Sequence, residues 1–271
     1  MTLPGASGLR MIDVGGQQLR VSVRPGDPAR TPLLLMNGIG AGLEAFAPLV
    51  EALDPDIAVI RFDVPGVGGS PLPAVPYRFP ALARRVAGLL DVLGYAEVDV
   101  LGISWGGGLA QQFAFTRRER CRRLVLVATG TGSIMVPAGP RTLGRKITPR
   151  RYLAQAHLLR VAAALYGGSA RPDGDRVRQV LAGHGRAEPP LGYLYQLVAG
   201  AGWTSLAFLP LLRQPTLVLA GDDDPLIPPL NGRLLAALIP HAHLHVYPGG
   251  HLELAAMPHL LVPAIQTFLH P

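Results

Sequence analysis

The sequence predicts an α/β protein: a mostly parallel central sheet with helices on both faces and a helical cap inserted after the sixth strand. Three observations carry this. Short apolar runs alternate with helical patterns over residues 32–128 and again over 216–269. The central runs are apolar throughout, as strands covered on both sides require. The turns after them are rich in glycine, proline and aspartate, and right-handed crossovers gather such turns along one sheet edge. Composition agrees. Of 271 residues, 49% are apolar and 16% charged, too hydrophobic a balance for a disordered chain. The single cysteine, Cys121, excludes a disulfide scaffold and suits a reducing compartment.

The elements follow in order. Alternating segments at 11–14 and 18–23, joined by Gly15-Gly16, predict a hairpin. Residues 32–36 form the first buried strand and 43–53 a helix. The unit repeats with a strand at 57–62, a loop at 63–76 and a helix at 80–93. It repeats again with a strand at 98–101, a sharp turn at 102–106 and a helix at 107–115, before a sixth strand at 124–128. The rhythm then breaks. Thr148-Pro149 looks like an N-cap and first-turn proline ahead of a helix over 150–166, and 176–181 and 191–198 are further helix candidates. The alternation resumes with a strand at 216–220, a helix at 231–238, a strand at 244–247 and a closing helix at 258–269. The expected organisation is a core over 1–130 and 211–271, interrupted by a helical cap over 131–210.

The formal charge of +7 is unevenly spread. Between residues 133 and 172 stand Arg141, Arg145, Lys146, Arg150, Arg151, Arg160 and Arg171, with no acid among them. The plain reading is a solvated helix face; without a recognised binding module the segment does not argue for nucleic acid. The run from Arg117 to Arg123 follows an apolar helix pattern and is expected at that helix's negative end. No run reaches the roughly 18 apolar residues of a membrane helix, and the first residues lack a secretory pattern.

Gly102-Ile103-Ser104-Trp105-Gly106 is the sharpest chemical signal. It matches G-x-S-x-G between a buried strand and a helix, where a strained turn lifts the serine hydroxyl above the sheet edge. The helix N-terminus behind it presents free N–H groups to a developing oxyanion. A serine needs a base to take its proton, and the base needs a carboxylate to orient it. Both should come from loops after later strands. The loop after 216–220 holds Asp222, Asp223 and Asp224; the loop after 244–247 holds Gly249-Gly250-His251. Of eight histidines, His251 alone sits just past the last strand in a Gly-rich loop. A second oxyanion donor, beside the Trp105 N–H, should come from the loop after the strand at 32–36, where Ile39 N–H is the candidate and Asn37 is placed to hold the loop or touch substrate. No clustered ligands suggest a metal, and the Gly-rich loop at 38–42 does not fit a dinucleotide fingerprint, so no cofactor is expected.

Together these motifs resemble the α/β-hydrolase superfamily and, within it, the intracellular medium-chain-length poly(3-hydroxyalkanoate) depolymerases. The resemblance runs through residues 32–42 (PLLLMNGIGAG), 62–70 (FDVPGVGGS), 76–80 (PYRFP), 102–113 (GISWGGGLAQQF), 202–205 (GWTS) and 214–228 (QPTLVLAGDDDPLIP). It implies the α/β-hydrolase fold, with a nucleophile at Ser104, a base at His251 and an acid at Asp224, the aspartate that matches the G-x-x-D-x-x-x-P pattern of such hydrolases. Asp222 and Asp223 are left to shape the turn or face solvent, and the D-x-P-G-x-G-x-S turn from Asp63 to Ser70 is expected to be structural. The implied reaction is hydrolysis of aliphatic polyester stored as cytoplasmic granules. Tyr193, Tyr195, Trp203 and Phe208 are candidates either to line an apolar substrate tunnel or to pack a cap core, and the basic cap segment is a candidate for a granule surface. Two other readings use the same residues: a small-molecule carboxylesterase, C–C bond hydrolase or perhydrolase, and a non-catalytic ligand receptor.

Overall fold

A computed structural model describes residues 8–139, 165–170 and 190–270. The strands are β1 (Gly8–Val14), β2 (Gln17–Arg24), β3 (Leu33–Met36), β4 (Val59–Phe62), β5 (Val98–Ile103), β6 (Cys121–Val127), β7 (Thr216–Gly221) and β8 (Ala242–Tyr247). They form one sheet in the order β1-β2-β4-β3-β5-β6-β7-β8. The pairs β1–β2 and β2–β4 are antiparallel and the rest are parallel. Gly15 and Gly16, both at positive φ, close the first hairpin, where a two-residue turn of this kind matches the strand twist.

The described helices are α1 (Ala47–Ala52), α2 (Phe79–Leu93), α3 (Trp105–Thr116), α4 (Pro190–Gly200), α5 (Leu230–Leu238), α6 (Glu253–Ala256) and α7 (Pro258–Leu269). All but α4 divide between the sheet's two faces, α2, α3 and α5 on one and α1, α6 and α7 on the other. Successive strand side chains point to opposite faces, so each central strand feeds two cores. Leu34 and Met36 of β3, with Leu124 and Leu126 of β6, pack among residues of α2 and α3. Leu33 and Leu35, with Val125 and Val127, pack among residues of α1 and α7. This is why these strands read as continuous apolar runs. Among the described residues no helix is long and apolar enough to cross a membrane.

The structure departs from the sequence expectations in identifiable places. The helix expected over 43–53 is a 3-10 turn, Leu43–Phe46, followed by α1, whose first turn carries Pro48. A proline there lacks only an N–H that the helix start leaves unpaired anyway. The basic run stands only in part at the end of α3, where Arg117 is the C-cap. Residues 118–120 form a 3-10 turn, while Arg122 and Arg123 belong to β6. There Arg122 grips the buried Asp99 with two hydrogen bonds of 2.9 and 2.5 Å, and Arg123 donates to Phe268 O at 2.7 Å. Burial pushes the Asp99 carboxyl up from its ordinary range. Of the expected insertion, the helix at 191–198 is α4. Residues 165–166 are helical, and 168–170 form a 3-10 turn. The rest of the helix expected at 150–166, the one at 176–181 and all seven cap bases lie outside the described residues.

Candidate active site

Ser104 stands between β5 and α3 at φ 53 and ψ −119, a conformation that non-glycine residues rarely adopt. The turn is forced by close packing. A Cβ on Gly106 would lie 2.2 Å from Met36 O, and one on Gly102 would lie 2.5 Å from Gly106 O. Neither position has room for a side chain, so α3 can start directly against β3. Ser104 N–H donates to Val127 O at 2.9 Å, and Ser104 O accepts from the Thr129 hydroxyl at 2.7 Å. The expected helix at 107–115 therefore begins two residues early, at Trp105.

The loops after β7 and β8 bring the other two predicted side chains to the same edge. The Ser104 hydroxyl lies 3.0 Å from His251 Nε2, and His251 Nδ1 lies 2.8 Å from Asp224 Oδ2. These distances fit a serine that donates to the imidazole and an imidazole that donates to the carboxylate. The other Asp224 oxygen accepts the N–H groups of Leu226 and Ile227, both at 2.9 Å, so this buried carboxylate has every lone-pair direction in use but one. The competing aspartates shape turns. Asp222 accepts from Gly249 N–H and Asp223 from Gly168 N–H.

The loop after β3 passes beside the serine: a Cβ on Gly38 would lie 3.7 Å from Ser104 Cβ. Gly38 N–H is taken by the Asn37 side chain at 3.1 Å, and Gly40 N–H by Gln196 Oε1 at 2.7 Å. Among the described residues, neither Ile39 N–H between them nor Trp105 N–H has an acceptor. Further back, Asp63 accepts from Leu43 N–H, Gly69 N–H and Arg20, while the Ser70 hydroxyl donates to Asp63 O. That second motif loop is a brace. Burial raises the Asp63 carboxyl above its usual range.

Ser104, Ile39 and Trp105 face a cavity of about 350 Å³, whose walls include Phe79, Tyr193 and Trp203. Tyr193 and Trp203 thus stand where a substrate-contacting residue was expected, but Asn37 and Tyr195 do not. Asn37 spends its amide on Gly42 O at 2.5 Å and its oxygen on Gly38 N–H, holding its own loop in shape. Tyr195, on the opposite side of α4 from the cavity, meets Tyr77 edge to face at 6.3 Å. A helix presents only one stripe to a pocket, and position 195 lies outside it. Phe208 sits behind Trp203, stacked on Phe115 at 4.4 Å.

Sequence reasoning missed three groups. Gln196, buried on α4, holds Gly40 by its side chain and accepts the Trp105 indole N–H at its backbone oxygen, 2.9 Å. The signal was a lone amide inside an apolar helical run. Glu253, 2% exposed, accepts from Gly250 N–H at 2.7 Å and from Ser169 N–H at 2.8 Å, and also from the Ser169 hydroxyl. An acid two residues from His251 was its signal. Tyr166 O accepts the His251 N–H at 2.7 Å, and no local pattern announces that bond. Tyr247 completes the brace by donating to Gly250 O at 3.1 Å. Burial, reinforced by the nearby carboxylates of Asp224, Glu253 and Asp222, pushes its phenol far above the ordinary value, so it remains a donor.

Comparison with known proteins matches residues 31–254 to the alpha/beta hydrolase fold family. A poly(3-hydroxyalkanoate) depolymerase of Ectopseudomonas oleovorans is 52% identical over 260 residues, covering 96% of this chain and 92% of that protein. A 2-hydroxy-6-oxononadienedioate/2-hydroxy-6-oxononatrienedioate hydrolase of Cupriavidus pinatubonensis is 28% identical over 91% of this chain and 89% of its own. Among solved structures, a hydrolase of Pseudomonas aeruginosa matches with a TM-score of 0.79 at 28% identity, covering 98% of this chain and 100% of that one. A thermophilic esterase of Thermogutta terrifontis matches with a TM-score of 0.80 at 25% identity, covering 97% and 98%.

Proposed function

The chain belongs to the α/β-hydrolase fold family, and from that premise we propose that it is a serine ester hydrolase that cleaves poly(3-hydroxyalkanoate), with medium-length side chains as its substrate class. The observation that carries the chemistry is the unbroken hydrogen-bonded line from Ser104 through His251 to Asp224, opening on an apolar cavity. The 52% identity to a depolymerase supports the choice of ester.

In this reading His251 Nε2 takes the hydroxyl proton as Ser104 Oγ attacks the ester carbonyl. Asp224 holds the ring and stabilises the imidazolium. The Ile39 and Trp105 N–H groups bind the tetrahedral oxyanion; their lack of an acceptor among the described residues supports the assignment, since preorganised donors are costly to leave unpaired unless a charge arrives. His251 then protonates the departing hydroxyl end of the polymer. Water, activated by the same imidazole, releases the 3-hydroxyacyl group. Residues 131–210 act as the cap, with α4 and Trp203 walling the cavity. The reading puts the protein with stored polyester in the cytoplasm, in keeping with its single buried cysteine.

The test is acid release from 3-hydroxyoctanoate polymer, with Ser104→Ala as control, alongside soluble p-nitrophenyl esters. Polymer cleavage that vanishes in the variant is the expected result. Activity on short esters with none on polymer would instead favour a small-molecule hydrolase, a reading that the resemblance to the Cupriavidus enzyme keeps in view. A protein that fails to label at Ser104 with a fluorophosphonate would be a non-catalytic receptor.

A further inference from the structure

The cavity that opens from Ser104 runs into an indole held from several directions. Trp203 Nε1–H donates at 2.8 Å to Gln112 Oε1, a buried side chain on α3 that takes no part in the proton relay. The Trp203 carbonyl accepts Ser133 N–H at 2.7 Å. Its ring meets Phe79 edge to face at 4.8 Å between centroids. Two glycines crowd its six-membered ring: a Cβ on Gly132 would lie 2.6 Å from Cε3, and one on Gly108 would lie 3.2 Å from Cζ3. Swinging the indole aside would break a bond to a buried amide and leave that amide oxygen unpaired, which a buried group resists. This wall is rigid.

We propose that Trp203 is the specificity-determining end wall of the cavity, setting the length of the aliphatic chain on the acyl unit that Ser104 accepts, and that Gln112 is the residue that positions it. The inference rests on the ester-hydrolase reading above. A chain that stops short of the indole gains apolar contact with each added methylene; a longer one must displace a pinned ring. In a hydrophobic pocket one methylene gained or lost changes kcat/KM by about tenfold or more. The space behind the wall is apolar, since Phe208 lies 6.1 Å from the Trp203 ring centroid and stacks on Phe115. Truncating the indole therefore extends the cavity toward these rings, and it also unpairs Gln112 Oε1, the buried polar atom that the indole N–H held.

The experiment measures kcat/KM of the full chain on p-nitrophenyl acyl esters from butanoyl to hexadecanoyl. Trp203→Leu should raise the ratio of dodecanoyl to hexanoyl ester hydrolysis by about tenfold or more. Gln112→Leu, which frees the indole without removing it, should move the ratio in the same direction by less. Gly108→Ala should move it the other way, because a methyl there narrows the cavity where Phe79 and Trp203 meet. Alanine is favoured over glycine in a helix, so Gly108→Ala decides the matter if Trp203→Leu does not fold. Unchanged ratios in the folded variants, on a wild type that cleaves these esters, overturn the inference alone. A wild type that cleaves neither these esters nor the 3-hydroxyoctanoate polymer overturns the ester-hydrolase reading and the inference with it; one that cleaves the polymer alone overturns the inference and leaves that reading standing.

Discussion

The Ser104 turn and the His251 loop end 3.0 Å apart, yet they are held by opposite means. Ser104 is locked by what is missing around it. Gly102 and Gly106 leave no volume between β3, β5 and α3, and the backbone has one way through. His251 is locked by what has been brought to it: Tyr166 O on its own N–H, Glu253 and Tyr247 on Gly250, and Asp222 on Gly249. The first device is steric and local. The second is a set of hydrogen bonds reaching 84 residues along the chain, from Ser169 to Glu253. A steric lock tolerates no added atom. A hydrogen-bonded brace loosens by degrees as members are removed.

The predictions probe that contrast, largest effect first. Ser104→Ala removes the group that both locks exist to place. Turnover should fall on the order of 10⁶-fold, as in well-studied triads, with the fold intact by circular dichroism. Near-normal turnover would end the nucleophile assignment. Asp224→Asn keeps the shape of the His251 side but exchanges the acceptor for an amide. A loss of about 10⁴-fold in kcat is expected, since the imidazole then favours the wrong tautomer; a loss under tenfold would remove Asp224 from the relay.

Gly106→Ala tests the steric lock. Its Cβ would meet Met36 O at 2.2 Å and Asn37 O at 2.4 Å, and these are backbone atoms that cannot turn aside. The cost should be about 3 kcal/mol, at the upper end for overpacking, and thermal melting should show a midpoint lowered by several degrees. An unshifted midpoint would mean that β3 and α3 can separate freely. Glu253→Ala tests the brace. It leaves Gly250 N–H and Ser169 unpaired and lets the His251 loop drift, and a misplacement of about 1 Å can cost roughly 10² in kcat. Because the cavity is untouched, KM should hold. Glu253→Gln, which keeps an acceptor oxygen, should recover most of the rate, and Ser169→Ala should cost only a few-fold. Equal effects on kcat and KM would make Glu253 a general prop rather than a positioning residue.

Much of this was legible along the chain. The alternation of β3 through β6 with α1 to α3 follows from apolar runs and turn residues, because the pleat period and the helix period each leave a local trace. Ser104 was marked by its glycines and by its place between strand and helix. Asp224 and His251 were marked by loops at the ends of β7 and β8, which the parallel topology carries to the same edge as Ser104. Expectations faltered where geometry depends on facing. Tyr195 and Tyr193 differ by two positions on α4, and only the packing of that helix shows which one meets the cavity. Arg122 and Arg123 looked like helix-end cations, but β6 begins earlier than its apolar run, and Asp99 on the neighbouring strand gives Arg122 a partner.

By itself the sequence determined the order of strands and helices, the strained serine turn and the loops from which its partners must come, since all of these arise from periodicity and turn chemistry within a few residues. The tertiary structure alone decided that Gln196 reaches Gly40 across 156 residues, that Ser169 meets Glu253, and that Gln112 pins Trp203 across 91. Each such bond involves a side chain whose chain neighbours carry no periodic trace of the pairing. They exist only once the sheet and its helices have packed and left buried polar atoms that must find a partner.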